Sequence, residues 1–235
     1  MAKKYTYQAD HRYPGSILEA LKYAVKYSQY QCDFLEVEIK KYNRKTVKIL
    51  DFGAGIGTYS DMIKDLGYTV DCVEPDPDMT KLLKKNHKVY TDIKQVKEKY
   101  DVIYSLNVLE HIEDDTKALA DLKNCLSAKG EIILFVPAFN ITYNKLDAKS
   151  GHYRRYRKKD LRKLAENTKL KLVKVKYSEP IGFILGLIYR IIGGSDELNP
   201  KSVALYDKYL FPVSVFLEPP TKELFGKNIL GIFTK

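Results

Sequence analysis

The chain has 235 residues, enough for one well-buried domain with insertions and short for two full domains. Its 45% apolar and 30% charged residues are those of an ordinary soluble globular protein. The formal net charge of +10 comes mostly from lysines scattered along the whole chain, which reads as a solvated surface and not as a nucleic-acid footprint.

Met1-Ala2-Lys3-Lys4 runs into polar sequence with no apolar core, so no signal peptide is expected. The longest apolar stretch, residues 181–194, is too short to span a bilayer and is interrupted by Arg190. Cys32, Cys72 and Cys125 form neither a zinc pattern nor a disulfide framework, and a reducing cytoplasm is the expected setting.

In chain order, residues 1–45 are helical in pattern. Pro14-Gly15-Ser16 reads as a turn and cap, followed by Ile17, Leu21, Ala24, Val25 and Ser28 at helical spacing. A second helical stretch passes through Phe34, Leu35, Val37, Glu38 and Tyr42. Strands are then expected at 47–52, 68–73, 87–90, 101–105 and 131–136, the last after a Lys129-Gly130 turn. Helices are expected between them at 59–66, 77–86 and 114–126. This βαβ rhythm predicts a doubly wound α/β fold, a parallel sheet covered by helices on both faces. Residues 138–157 read as a loop rich in Tyr, Asn and Arg, followed by a helix at 158–167 and strands at 170–177 and 228–234. The long insertion between those strands carries the apolar run and is expected to cover a pocket as a helical cap. The expected organisation is therefore an N-terminal helical segment (1–45), an α/β core (46–178), a helical cap insertion (179–220) and a final core strand (221–235).

The strongest local signal is Asp51-Phe52-Gly53-Ala54-Gly55-Ile56-Gly57. A glycine turn after the first strand lets a ligand approach the backbone, and dinucleotide-binding proteins use the same position. Here the spacing is GxGxG and not GxGxxG, and Asp51 stands two positions before the first glycine. A carboxylate there repels a pyrophosphate and suits a cationic ligand; S-adenosylmethionine carries a sulfonium and an ammonium and no phosphate. Glu74, at the end of the second strand, is placed to accept hydrogen bonds from both hydroxyls of a ribose. Asp92 and the Ile93 N–H are candidates for the edge of an adenine, although an Asp after a strand is also a common helix cap.

The run ILDFGAGIGTYS, then VEPDP, YTDI, YDVIYSLNVLEHIEDD and LKNCLSAKGEIILFVPA, resembles the seven-strand, class I S-adenosylmethionine-dependent methyltransferases over residues 47–137. GHYRRYRKKDLRKLAENTKLKL and the ending LEPPTKELFGKNILGIFTK further resemble a bacterial and archaeal subgroup associated with glycosyltransferases. The resemblance implies a seven-stranded sheet, six strands parallel and the last antiparallel, with the cofactor over the strand carboxyl ends and S-adenosylhomocysteine as its product. It also implies that Asp51, Gly53, Gly55, Gly57, Glu74, Asp92 and Asn107 line the cofactor site, Asn107 acting largely through its backbone.

Methyl transfer to a hydroxyl needs an in-line acceptor and a group that removes its proton. His111, in Leu109-Glu110-His111-Ile112, and His152 are the candidates, and His152 is preferred as the general base because it lies after the fifth strand on the acceptor side. Arg154 and Arg155 belong to a cluster, 152–159, that holds three of the seven arginines; they can clamp a phosphate or carboxylate, or pair with Asp147 or Asp160. Tyr143, Tyr153 and Tyr156 can stack on a sugar or aromatic ring. The Glu110-His111-Asp114 spacing does not match that of catechol-type enzymes, so no metal is expected.

The apolar run at 181–192 reads as a helix buried under the cap, as a wall for a prenyl or acyl chain, or as a surface that touches a membrane. The expected function is O-methylation of a small-molecule or glycan- or lipid-linked acceptor. Nucleic-acid methylation is the alternative, but Ser105-Leu106-Asn107-Val108 lacks the Pro-Pro-Tyr of the amino-methylating enzymes. A catalytically inactive cofactor-binding partner subunit is the other. The residues leave the oligomeric state open.

Overall fold

The computed structural model describes residues 20–193 and 197–235. The expected turn at Pro14-Gly15-Ser16 and the start of the first helix lie outside the described residues.

Seven strands form one sheet: β1 (Ile49–Phe52), β2 (Val70–Val73), β3 (Lys88–Tyr90), β4 (Tyr100–Leu106), β5 (Leu126–Pro137), β6 (Lys171–Ser178) and β7 (Asn228–Thr234). Their order is β3-β2-β1-β4-β5-β7-β6. The pairs from β3 to β5 are parallel, and β7 runs antiparallel to both β5 and β6. This is the seven-stranded, mostly parallel sheet that was expected.

Alternation along the strands explains why both faces are covered. On β4, Val102 and Tyr104 point to one face and Ile103 to the other, and all three are fully buried. Val102 and Tyr104 pack with Ile49, Cys72, Ile133 and Phe135 beneath Leu35 and Ile39 of helix α1 (Val25–Ile39) and Ile63 of α2 (Thr58–Asp65). Leu83 of α3 (Pro77–Leu83) joins the same face. Ile103 packs with Leu50, Ile132 and Leu134 against Leu119 and Leu122 of α4 (Asp115–Cys125). The three cysteines are free and buried, consistent with a packing role.

Three local readings change. The first helical stretch expected near the N-terminus is interrupted: residues 20 and 21 are helical, Lys22-Tyr23 is a turn, and the chain then runs through the single helix α1. α1 has no local side-chain cap; instead, the Asp207 carboxylate accepts from the backbone N–H groups of Lys26 (2.8 Å) and Tyr27 (2.9 Å). β5 begins at Leu126, and the Lys129-Gly130 region is a register shift within it, between the Tyr100–Leu126 and Val102–Glu131 pairs. The segment after β5 holds a 3-10 turn (Asn140–Thr142) and a short helix α5 (Lys145–Lys149) closed by an Asn144–Asp147 capping box.

Helix α6 (Lys158–Thr168) leads into β6. Between β6 and β7 run α7 (Pro180–Ile191), α8 (Pro200–Leu205), a π-helical turn (Tyr206–Leu210) and α9 (Phe211–Thr221). The expected burial of the apolar α7 does not hold: within it only Pro180 and Gly182 are buried, while Ile184, Ile188 and Ile191 are exposed. Among the described residues no helix is long and apolar enough to cross a membrane.

Candidate active site

The carboxyl ends of the strands open into one cleft of about 1240 Å³. That exceeds the roughly 300–1,000 Å³ typical of a single small ligand, so it has room for two ligands side by side. At one end lies the turn after β1, with Gly53, Gly55 and Glu74 in the wall. At the other lie Glu110, His111, His152, Tyr153 and Arg155. Helices α7 and α8 and the π-helical turn contribute Leu185, Tyr189, Val203 and Tyr206.

The glycine turn is required by geometry. Gly53 and Gly55 have φ of +82° and +57°, a region that side chains disfavour. A Cβ on Gly53 would approach the Val108 side chain to 2.4 Å, whereas one on Gly55 would project into open space, where a ligand can lie against the backbone. Gly57 stands behind the turn as the N-cap of α2.

Glu74 is buried, and its two oxygens accept from the Gly55 N–H (2.8 Å) and the Asp76 N–H (2.9 Å). Burial raises its carboxyl above the ordinary value, with those backbone donors pulling the other way. Each oxygen keeps a second lone pair, which suits a ribose diol. Asn107 lines the cleft at the end of β4 with φ +54°, its N–H donating to the Phe135 carbonyl at 2.7 Å.

Other residues singled out from the sequence stand outside the lining of the cleft. Asp51 is buried behind the turn, where Ser60 Oγ donates to it at 2.6 Å. Asp92 caps a 3-10 turn (Ile93–Gln95) by accepting from the Lys94 N–H at 2.8 Å, and Ile93 is packed in the core. Tyr143 donates its hydroxyl to the His152 carbonyl at 2.8 Å. Arg154 donates to the carbonyls of Ile112 (3.0 Å) and Glu113 (2.6 Å) and pairs with Asp115 at 2.8 Å.

Arg155 lines the cleft, but its charge is spent on Asp147: Nε donates to Oδ1 at 2.9 Å and Nη2 to Oδ2 at 2.8 Å. The same Asp147 Oδ1 holds His152 Nδ1 at 2.7 Å. Burial works to raise the Asp147 carboxyl, and the His152 and Arg155 hydrogen bonds outweigh it, leaving it below the ordinary range. Tyr153 exposes its ring at the cleft, and its N–H donates to the Glu110 carbonyl at 2.8 Å. That bond brings the segment after β5 onto the 3-10 turn Leu109–His111, so the His111 and His152 rings meet edge to face, 4.6 Å between centroids.

Glu110 is wholly buried, and neither carboxylate oxygen meets a hydrogen-bond partner among the described residues. Burial pushes its carboxyl up to about 7, against the pull of His152 and Arg155. Burial, with His152 beside it, pushes His111 down to about 3, so its ring is neutral near pH 7.

Three cleft groups escaped the sequence reading: Asp147 as the anchor of His152, Glu179 and Tyr206. Glu179 follows β6 with φ +59°, is buried, and accepts from Asn228 Nδ2 at 2.5 Å and the Tyr206 hydroxyl at 3.3 Å.

Residues 23–175 match the family described as methyltransferase domain. The chain belongs to that family. Its fold is that of the class I S-adenosylmethionine-dependent methyltransferases. A curated relative, ubiquinone biosynthesis O-methyltransferase of Pelagibacter ubique, is 29% identical over 108 residues, 42% of this chain and 44% of that protein, so the chain matches under half of its length. A SAM-dependent methyltransferase from Archaeoglobus fulgidus superposes with a TM-score of 0.53 at 15% identity, covering 87% of this chain and 94% of that one. Magnesium protoporphyrin IX methyltransferase from Synechocystis, solved with bound SAM, gives 0.51 at 19% identity over 64% and 72%. In this methyltransferase the residues at the glycine turn fit the cofactor: an open approach at Gly55 and a buried carboxylate at Glu74.

Burial pushes the Asp51 carboxyl up to about 7, against the Ser60 hydrogen bond. An unfolded Asp titrates near about 3.9, so between that value and pH 7 the folded chain holds the extra proton. Stability therefore falls as pH rises through this window, by up to about 1.4 kcal/mol per pH unit, and levels off above it. Urea unfolding of wild type against Asp51→Asn from pH 4.5 to 8 should show the variant lacking this loss. Parallel profiles would mean that Asp51 titrates normally.

Proposed function

We propose that this methyltransferase transfers a methyl group to a hydroxyl of a small-molecule or glycan- or lipid-linked acceptor. The observation that carries the reading is the position of His152, which shares a cleft with the glycine turn and is oriented by a buried carboxylate through Nδ1. S-adenosylmethionine supplies an electrophilic methyl on a sulfonium. Gly53, Gly55 and Asn107 present backbone to it, and Glu74 takes the ribose hydroxyls. Asp147 fixes the His152 ring and leaves Nε2 as the nitrogen that activates the acceptor hydroxyl. Tyr153 offers a ring face for the acceptor. The O-methyltransferase relative supports oxygen as the receiving atom.

Calorimetric titration with S-adenosylhomocysteine should give micromolar-range binding by the wild type and at least tenfold weaker binding by Glu74→Ala. No binding by the wild type would overturn the cofactor assignment. His152→Ala should lose on the order of 10²-fold or more in turnover while keeping its affinity for S-adenosylhomocysteine. Unchanged turnover removes His152 from the mechanism. A protein that binds and never turns over any sugar, nucleotide-sugar or prenyl-phosphate acceptor would instead be a partner subunit.

The outer surface supports a second reading, a site of contact with a lipid membrane. Ile184, Ile188 and Ile191 of α7 and Phe216 of α9 are exposed, and so are Lys201 of α8, Lys208 of the π-helical turn and Lys222 at the end of α9. Apolar side chains beside lysines suit an anionic interface. The protein should sediment with anionic vesicles and stay in the supernatant when Ile184 and Ile188 are both changed to Ser. Equal sedimentation of the two proteins would remove the reading.

A further inference from the structure

We propose that Glu110, His111 and His152 form a binding site for one divalent transition-metal ion, facing the acceptor end of the cleft. One donor atom from each residue lies within 4.8 Å of the other two. Ligand atoms around a tetrahedral zinc stand roughly 3.3–3.5 Å apart, given bonds of about 2.0–2.1 Å, so side-chain movements of about 1 Å close the site.

Three independent features point to an ion. The first is Glu110. A buried carboxylate is normally paired, hydrogen-bonded or bound to metal, and Glu110 is wholly buried with neither oxygen partnered among the described residues. The second is the anchoring of both imidazoles. His152 gives Nδ1 to Asp147, and His111 is hydrogen-bonded to the Ser150 backbone. Metal-ligating histidines are held in this way through the second ring nitrogen, which fixes the tautomer and aims the other nitrogen at the ion. The third is charge. Arg155 is bonded to Asp147 through two nitrogens, so the residue behind His152 is already balanced, and Glu110 is the anionic ligand left to face the ion.

Two imidazoles and one carboxylate suit zinc or ferrous iron, and also manganese or cobalt; they do not suit the hard-oxygen preference of calcium. The site was hidden in the sequence because Asp114, the third member of the Glu110-His111-Asp114 trio, instead caps α4 by accepting from the Lys117 N–H at 2.9 Å. Its place is taken by His152, which follows β5.

The function of the ion rests on the O-methyl transfer proposed above; the site itself does not. An ion held by these three residues would offer a further position to an acceptor hydroxyl and make its proton easier to lose. That proton leaves to solvent water, the oxygen forms the new bond to the methyl carbon, and the electron pair of the breaking S–CH₃ bond passes to sulfur. With the ion bound, His152 would act on the hydroxyl through the metal, in place of the direct proton removal by Nε2 described above.

The test is equilibrium dialysis of the full chain, cleared of metal by chelator, against Zn²⁺ and Mn²⁺, with Co²⁺ absorption as a spectroscopic check. The wild type should bind one equivalent of at least one ion, with visible Co²⁺ bands of a nitrogen- and oxygen-ligated site. Glu110→Gln and His152→Gln should each weaken binding at least tenfold while keeping S-adenosylhomocysteine affinity, which also shows that they fold. His152 is partly exposed, so its variant tests the site even if Glu110→Gln fails to fold. Less than stoichiometric binding by the wild type, or equal binding by wild type and His152→Gln, overturns the site. Metal binding without S-adenosylhomocysteine binding keeps the site and removes the methyl-transfer reading; the reverse result keeps the enzyme and removes the metal.

Discussion

The end of the cleft proposed for the acceptor is organised by one buried charge, the carboxylate of Asp147. An ionised carboxylate taken from water costs several kcal/mol unless donors surround it. Asp147 meets that cost with the Arg155 guanidinium, the His152 ring and the Asn144 N–H, all drawn from the single segment that follows β5. The segment therefore folds around Asp147 into α5 and returns beneath it, with no long strand or helix to define its path. Two consequences follow. Arg155 is not available to clamp an acceptor phosphate, and His152 is held in one orientation through Nδ1.

A second constraint acts across the cleft, where the insertion between β6 and β7 is tied to the N-terminal helix. Asp207 supplies the helix cap that α1 lacks locally, accepting from Lys26 and Tyr27 some 180 residues away. Tyr27 packs edge to face on Phe211 with ring centroids 5.6 Å apart, so polar and apolar contacts fix the same junction. The backbone at the sheet's carboxyl edge carries strain of matching location. Asn107, Phe139 and Glu179, which follow β4, β5 and β6, all adopt left-handed φ between 54° and 60°. Each such residue costs of order 1–3 kcal/mol, and two of the three, Asn107 and Glu179, line the cleft.

What was legible in the sequence was what is local. Short apolar stretches alternating with helical ones marked the strands, and residues 228–234 appear as β7 with the same ends as expected. The glycine turn was readable because GxGxG encodes a backbone shape within one short stretch of chain. The helices expected from 77 and 114 begin at Pro77 and Asp115, capped by Asp76 and Asp114. The acceptor side was far less legible because its contacts are not local. Nothing in the spacing of His111 and His152 says that their rings touch; the contact depends on the Tyr153 N–H meeting the Glu110 carbonyl. The cap of α1 was unreadable for the same reason. Asp92 carried two readings from the start, and in this structure its side chain is engaged as a cap.

The division between the two ends of the cleft has a physical cause. Binding a cofactor shared by many enzymes needs backbone approach and one or two carboxylates, and a strand followed by a turn supplies both within one βα unit. Choosing an acceptor needs a surface assembled from separate segments, here the turn after β4, the loop after β5 and the helices between β6 and β7. Those segments are held by buried polar contacts whose partners are distant in sequence: Asp147 with Arg155, Asp207 with α1, Glu179 with Asn228. Such contacts specify one arrangement because leaving any member unpaired is costly. Glu110 breaks this rule, since every other buried acid in the cleft has found its donors while its two oxygens have none among the described residues. This carboxylate beside two anchored imidazoles is therefore where the proposed ion would bind.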